Sequence, residues 1–289
     1  MVAYVFFQLI WWGIHIIQLT GQLGEGDDYT SRRIWMIIGE GIVFFILLSF
    51  GVIKIRKAFK EEVKLAQQKQ NFALSVSHEL KSPVAAIKLF LQTLEKRDLT
   101  EDQKKDIINK CIASTDRLDG LVNNILLSNI VDTKNYQLAF ENVNLKMQLE
   151  ELISIYQHTN SSAEITLEYT GNESVEIDKS SFISIASNLI DNAVKYSGKS
   201  AQVSLSAQIS TQYIILEVAD NGPGISNKEK ELIFTKFYRS GNEMNRSAKG
   251  TGLGLFIVRE LVSLHKGTVS IQKNQPTGSI FIVKIPLEK

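Results

Sequence analysis

Phe72–Val84 reads FALSVSHELKSPV, which sets one histidine, His78, directly before a carboxylate, Glu79. The apolar residues Phe72, Val76 and Leu80 recur every four positions, the spacing of a helix with one buried face. Pro83 has no backbone N–H and disfavours helical geometry just before it, so a kink is expected one turn past His78. A lone histidine on a helix is ordinarily a surface or core residue. What gives this one meaning is the sequence on either side.

Upstream, Val52, Ile55, Phe59, Val63, Ala66, Ala73, Val76 and Leu80 keep a beat of about 3.5 residues, the seam of a coiled coil. One helix is therefore expected to run into the histidine stretch of a dimer, and residues 54–70 leave no room for a sensor domain. Further back, Val2 to Leu19 and Ile34 to Ile53 are almost continuously apolar. Each run is about the twenty residues a helix needs to cross the hydrocarbon layer. The first could instead serve as a signal peptide, but it has no basic n-region and is long for an h-region. Between the runs lies a polar interval with Asp27, Asp28, Arg32 and Arg33. Lys54 to Lys69 holds six lysines and arginines against two in that interval, so everything after Ile53 is expected in the cytoplasm. His15 and Glu40 lie inside the spans, where ionisable groups are costly unless paired or facing a polar cavity. They suit either a sensing role or a place near an interface.

The formal net charge is +1, and the clustered basic residues lie beside an apolar run. A membrane surface explains them, and no basic tail suggests nucleic acid as a partner. The single cysteine, Cys111, excludes an internal disulfide or a thiolate metal cluster and is expected as a small buried side chain.

Downstream of Pro83 the helical pattern resumes through Ile87, Phe90, Leu91 and Leu94 and stops at Asp98. Thr100 followed by Gln103 predicts a capping box for a second helix. That helix carries Ile107, Cys111, Ser114, Leu118, Leu121, Val122 and Ile125 on one face. Two helices of this length cannot bury both faces alone, so a homodimeric four-helix bundle is expected.

A polar stretch, Val131 to Tyr136, marks a hinge to a domain of mixed elements. The patterns predict strands at 138–143, 165–169, 201–209, 213–219, 268–272 and 279–285, with helices at 145–157, 179–196 and 251–265. Helices between mostly adjacent strands predict an α/β sandwich, one sheet covered on one face. Three groups here carry chemistry. Asn188, Asn192 and Lys195 stand at i, i+4 and i+7, presenting two amide oxygens and a cation from one helix face. Oxygen donors suit magnesium and a lysine suits phosphate. A strand then runs into Asp220-Asn221-Gly222-Pro223-Gly224, where a carboxylate can accept from an exocyclic amine and glycines admit a flat ring. Last, GTGLGL from Gly250 to Leu255 opens a helix whose free N–H groups favour a polyphosphate. It lacks the strand, turn, helix order and downstream acid of a dinucleotide fingerprint.

Taken in order, SHELKSP, NLIDNAVKYS, DNGPGI, FTKFYR and GTGLGL resemble the H, N, G1, F and G2 boxes of membrane-bound sensor histidine kinases, over about Gln70 to the end. The resemblance implies a multidomain chain: two transmembrane helices with a short external loop (1–53), a signalling-helix linker (54–70), a helical-hairpin dimerisation and phosphotransfer domain (71–132), and an α/β-sandwich ATP-binding domain of the Bergerat or GHKL type (133–289). It implies His78 as phosphoacceptor, Glu79 as its hydrogen-bonding partner and base, and Arg239 as the residue reaching the γ-phosphate of ATP. Asn192, helped by Asn188, would hold Mg2+, and Lys195 would touch the phosphates. Tyr196 would lie against the nucleotide, Asp220 would bind the adenine amine, and Gly222 and Gly224 would shape that pocket. Gly250, Thr251, Gly252, Leu253, Gly254 and Leu255 would form the G2 box, its glycines hinging a lid from about Ser226 to Lys249. The implied partners are a second copy, the receiver domain of a response regulator and membrane lipid, in a multi-pass protein of the cytoplasmic membrane.

Two positions bear on the reaction. Relatives of this ATP-binding fold that hydrolyse ATP, such as gyrase and the ninety-kilodalton chaperones, carry a glutamate matching Asn188 to activate water. Asparagine cannot act as that base, so transfer is expected over hydrolysis. Ser82, four after His78, departs from the threonine or asparagine of relatives with strong phosphatase activity, yet keeps a hydroxyl to orient water. A nucleotide-binding scaffold without catalysis is the rival reading, and binding without phosphohistidine would mark it.

Overall fold

The computed structural model describes residues 2–22, 27–133, 135–159, 163–239 and 250–287. The chain falls into two units, Met1–Gln67 and Gln68–Lys289.

In the first unit, α1 (Val2–Gln22) meets the start of α2 (Asp27–Lys96) at Gly13, where a Cβ would lie 3.3 Å from Ile37 Cγ2. Among the described residues one helical segment, Ile34–Lys96, contains a window long and apolar enough to cross a membrane, with a mean hydropathy of 2.4 and none of it buried. The described apolar part of α1, Ile10–Leu19, is shorter. Asp27, Asp28, Arg32 and Arg33, expected in the polar interval, fall inside α2, and residues 23–26 lie outside the described residues. Polar side chains end an apolar run without ending a helix, because the ladder is made by backbone groups. His15 stacks on Trp11, with ring centroids 5.3 Å apart, and Glu40 is exposed.

In the second unit, α2 continues without interruption through Pro83, which is buried, and α3 (Glu101–Asp132) follows a short turn. The turn is the capping box read from the sequence. Thr100 Oγ1 accepts from the Gln103 amide at 3.4 Å, and Gln103 Oε1 accepts from the Thr100 amide at 3.1 Å. Such a cap contributes about 1 kcal/mol. Ile107, Cys111, Ser114, Leu118, Leu121 and Ile125 are half-buried against the first helix. Cys111 is thus less enclosed than expected. Val122 is exposed, on an outward stripe with Ile108, Ile112 and Leu126. A single hairpin has only one neighbour to bury against, so the second face stays open.

The remainder builds β1 (Phe140–Asn144), α4 (Leu145–Thr159), β2 (Glu164–Gly171), β3 (Ser174–Asp178), α5 (Lys179–Ser197), β4 (Gln202–Ile209), β5 (Tyr213–Asp220), α6 (Gly254–Leu264), β6 (Thr268–Lys273) and β7 (Ser279–Pro286). Five strands form one sheet in the order β2-β4-β5-β7-β6, with β2 and β4 parallel and the other pairs antiparallel. Alternation along β5 turns Ile214, Leu216 and Val218 inward, and α5 lies over them with Phe182, Ile185 and Leu189 fully buried. Helix α6 adds Ile257 and Leu261 to the same core. Each such side chain contributes roughly 1.5–3 kcal/mol on burial.

Two expectations need correction. Instead of a single sheet, β1 pairs with β3 in a separate antiparallel ladder, Phe140 opposite Asp178. Strand β3 is five residues long and gains its partner from a distant segment, which local pattern does not encode. The last helix begins at Gly254 and not at Thr251. Gly252 has φ 72°, and a Cβ there would stand 2.8 Å from Tyr238 O, so this stretch packs as loop against the FTKFYR turn.

Asp178 joins the ladder to α5. Its Oδ1 caps the helix by accepting from the Ser181 amide at 2.7 Å, and its Oδ2 accepts from the Ala139 amide at 2.7 Å. Burial pushes its proton affinity up, but these amides and the Ser180 and Ser181 hydroxyls outweigh it and hold the carboxyl below its ordinary value.

Candidate active site

His78 is exposed on α2 and Glu79, one residue on, is buried at 9% exposure. Successive helical residues point about 100° apart, so one faces solvent and the other α3. Arg117 of α3 donates from Nη2 to Glu79 Oε2 at 3.3 Å. No hydrogen bond joins Glu79 to His78 among the described residues. Ser82 is exposed on the same helix.

On α5, Asn188 is buried and its amide nitrogen donates to Ser184 O at 2.8 Å. Its Oδ1 is thereby turned to the start of α6, where a Cβ on Gly254 would stand 2.7 Å from it. Asn192, one turn on, is half-buried. Lys195 lies against Gly250, where any side chain would collide with its ammonium, and 5.0 Å from the centroid of the exposed Tyr196 ring. Its side chain is exposed, yet the protein packed round the ammonium and the nearby Arg239 cation lower its proton affinity, against the pull of Glu79 and Asp191. Asn188 therefore stands against Gly254 and Lys195 against Gly250. Thr251 and Leu255 are half-buried and Leu253 is fully buried.

Asp220 ends β5 and is buried. Its Oδ1 accepts from the Gly222 amide at 2.8 Å and the Ser279 amide at 3.1 Å, which leaves Oδ2 as the acceptor for a ligand. Burial raises its proton affinity, and those two amides oppose the rise. Asn274 Nδ2 donates to Asp220 O at 2.8 Å. Neither Asn274 nor Ser279 stands out in the sequence, because Asn274 reaches Asp220 from the β6–β7 turn and Ser279 from the start of β7, and neither belongs to a local motif. Gly224 follows with φ 77° at a close approach to Gly278. For a metal, the donors present are amide oxygens. Among the described residues no three His, Cys, Asp or Glu side chains converge. That chemistry fits a hard cation completed by phosphate oxygens and water, the habit of Mg2+.

The FTKFYR turn sits between this cradle and the hairpin. Phe237 packs on Phe72 of α2 at 4.3 Å between ring centroids. Arg239 donates from Nη1 to Ser75 Oγ at 2.7 Å, one turn before His78. Lys236 pairs with Asp132 at 2.9 Å and donates to Ser128 O and Asn129 Oδ1 on α3, each at 3.3 Å. Of the expected lid, residues 240–249 lie outside the described residues.

A hairpin carrying an exposed histidine is joined to a sandwich on which Asn188 meets the start of α6 and Lys195 meets the glycine loop, a layout similar to that of the histidine-kinase class. Residues 68–132 match the His Kinase A (phospho-acceptor) domain, and residues 177–289 match the histidine kinase-, DNA gyrase B- and HSP90-like ATPase. The chain carries both of these domain matches and resembles the sensor histidine kinases. It is 28% identical to sensor histidine kinase WalK of Bacillus subtilis (strain 168) over 83% of this chain and 40% of that protein. It is 29% identical to drug sensory protein A of Synechocystis sp. over 80% of this chain and 37% of that protein. The chain thus matches less than half the length of these relatives. In fold it resembles full-length ShkA, solved in complex with AMPPNP, with a TM-score of 0.53 and 23% identity over 76% of this chain and 46% of that one.

Proposed function

We propose that this protein is a dimeric sensor histidine kinase of the cytoplasmic membrane that transfers the γ-phosphoryl group of ATP to His78 and then to an aspartate on the receiver domain of a response regulator. The observation that carries this reading is the succession of an exposed imidazole and a buried carboxylate, His78 and Glu79, on a hairpin whose α3 packs on α6, the helix that begins beside Asn188. A neutral imidazole with one ring N–H bonded to a carboxylate leaves the other nitrogen free to attack. The N–P bond forms as the bond to the β,γ-bridging oxygen breaks, ADP leaves, and Glu79 takes the imidazole proton.

Lys195 and Arg239 neutralise charge on the transferring group. Asp220 accepts from the adenine amine through Oδ2, Gly222 and Gly224 shape that pocket, and Tyr196 lies against the nucleotide. Asn192 and Asn188 would hold Mg2+, which would supply further neutralisation. Gly250, Thr251, Gly252, Leu253, Gly254 and Leu255 close over the phosphates by the free N–H groups at the start of α6. Asn188 in place of a glutamate favours transfer over hydrolysis. Arg239 rests on Ser75, so reaching a γ-phosphate means giving up that hydrogen bond.

The working parts are residues 1–53 as two transmembrane helices meeting lipid, 54–70 as the linker that carries the stimulus, 71–132 as the dimer and phosphotransfer domain, and 133–289 as the ATP-binding domain. With γ-labelled ATP and magnesium, the wild type gains an acid-labile, base-stable label. His78→Gln abolishes the label and keeps nucleotide binding, whereas Asn192→Ala abolishes it through the metal. Label retained on His78→Gln would contradict the assignment.

A further inference from the structure

We infer that Arg117 is a positioning residue for phosphoryl transfer, orienting the Glu79 carboxylate beside His78 from the opposite helix of the same hairpin. The inference rests on the kinase reading above. Glu79 is 9% exposed, and Arg117 is its hydrogen-bonding partner among the described residues. A carboxylate shut away from water without a cation is costly to the fold and free to turn. Arg117 takes Oε2 and, among the described residues, Oε1 accepts no hydrogen bond, so one oxygen is held and the other is kept for the neighbouring imidazole. The pair is lopsided in a useful way. Arg117 is 58% exposed and keeps most of its hydration, so the cost of desolvation falls chiefly on the member that must be dry.

Arg117 also stands where the hairpin meets the sandwich. Its charge acts on Asp191 of α5, and that of Glu79 acts on Lys195 of the same helix. Tyr156 of α4 donates to Asp191 at 2.7 Å and fixes that carboxylate in turn. The general base is therefore held by a residue whose own surroundings include the nucleotide-binding helix. Orientation of Glu79 is tied to the seating of the two domains.

The test is the initial rate of His78 labelling by the full-length protein across ATP concentrations. Arg117→Ala should lower kcat by about tenfold or more, as expected for a misaligned base, and leave the KM for ATP and nucleotide binding unchanged. Arg117→Lys should recover part of the loss. In a Glu79→Gln background, Arg117→Ala should add nothing further, because its effect runs through the carboxylate. If Arg117→Ala unfolds, Arg117→Gln keeps the stem and carries the same comparison. Wild-type kcat in the variants, a change confined to KM, or equal losses in both backgrounds would each overturn the inference. A wild type that never labels His78 would instead sink the kinase reading.

Discussion

The hairpin and the sandwich are built on opposite principles. The sandwich closes its own core, with Phe182, Ile185, Leu189, Leu216 and Ile257 fully buried within one chain. The hairpin leaves Ile108, Ile112, Val122 and Leu126 exposed along one stripe of α3 and only half-buries the opposite face. An α/β sandwich has two layers to press together, whereas two antiparallel helices have a single seam. One region is complete in a monomer, and the other leaves a face uncovered that the proposed dimer would bury.

Charges on the outward stripe break that comparison most severely. Ile112→Asp with Leu126→Asp should leave a monomer by sedimentation equilibrium while the sandwich still binds nucleotide. A dimer that survives both would place the interface elsewhere. Next in size, Phe182→Ala should lower stability by about 3–5 kcal/mol, read by urea unfolding, because the cavity lies in a core that cannot collapse. Leu126→Ala, on a face open in the monomer, should cost the monomer far less. Phe72→Ala removes the aromatic pair with Phe237 and should loosen the sandwich on the hairpin by roughly 0.5–1.5 kcal/mol, seen as faster hydrogen exchange in the FTKFYR turn.

Asp178→Ala is expected to cost about 1 kcal/mol for the lost N-cap alone, an effect of the same size as that of Phe72→Ala. Its carboxyl is held below its ordinary value in the folded state, so the stability it supplies is present above the unfolded value, about 3.9, and is lost as pH falls through the folded one. Wild type and variant should therefore differ near neutrality and converge on acidification. A gap that stays constant with pH would show that the capping hydrogen bonds do not set this charge.

The N and G2 boxes were legible as motifs, and the structure sets Asn188 against Gly254 and Lys195 against Gly250. The Thr100 capping box and the start of α5 were equally legible, since a cap is a contact between residues three apart. The braces on Asp220 from Asn274 and Ser279 were not, nor was Arg117 beside Glu79, because those residues are 54, 59 and 38 positions from what they touch.

The amino-acid sequence by itself determined the order of parts, the starts of α3 and α5, and the chemical inventory of the site, since periodicity, capping and motif spacing act over a few residues. Tertiary structure alone decided the separate β1–β3 ladder, the late start of α6 at Gly254, and the contact of Arg239 with Ser75. Each depends on which distant surfaces meet, and that choice is made by burial and backbone pairing across the whole fold, beyond the reach of any local pattern.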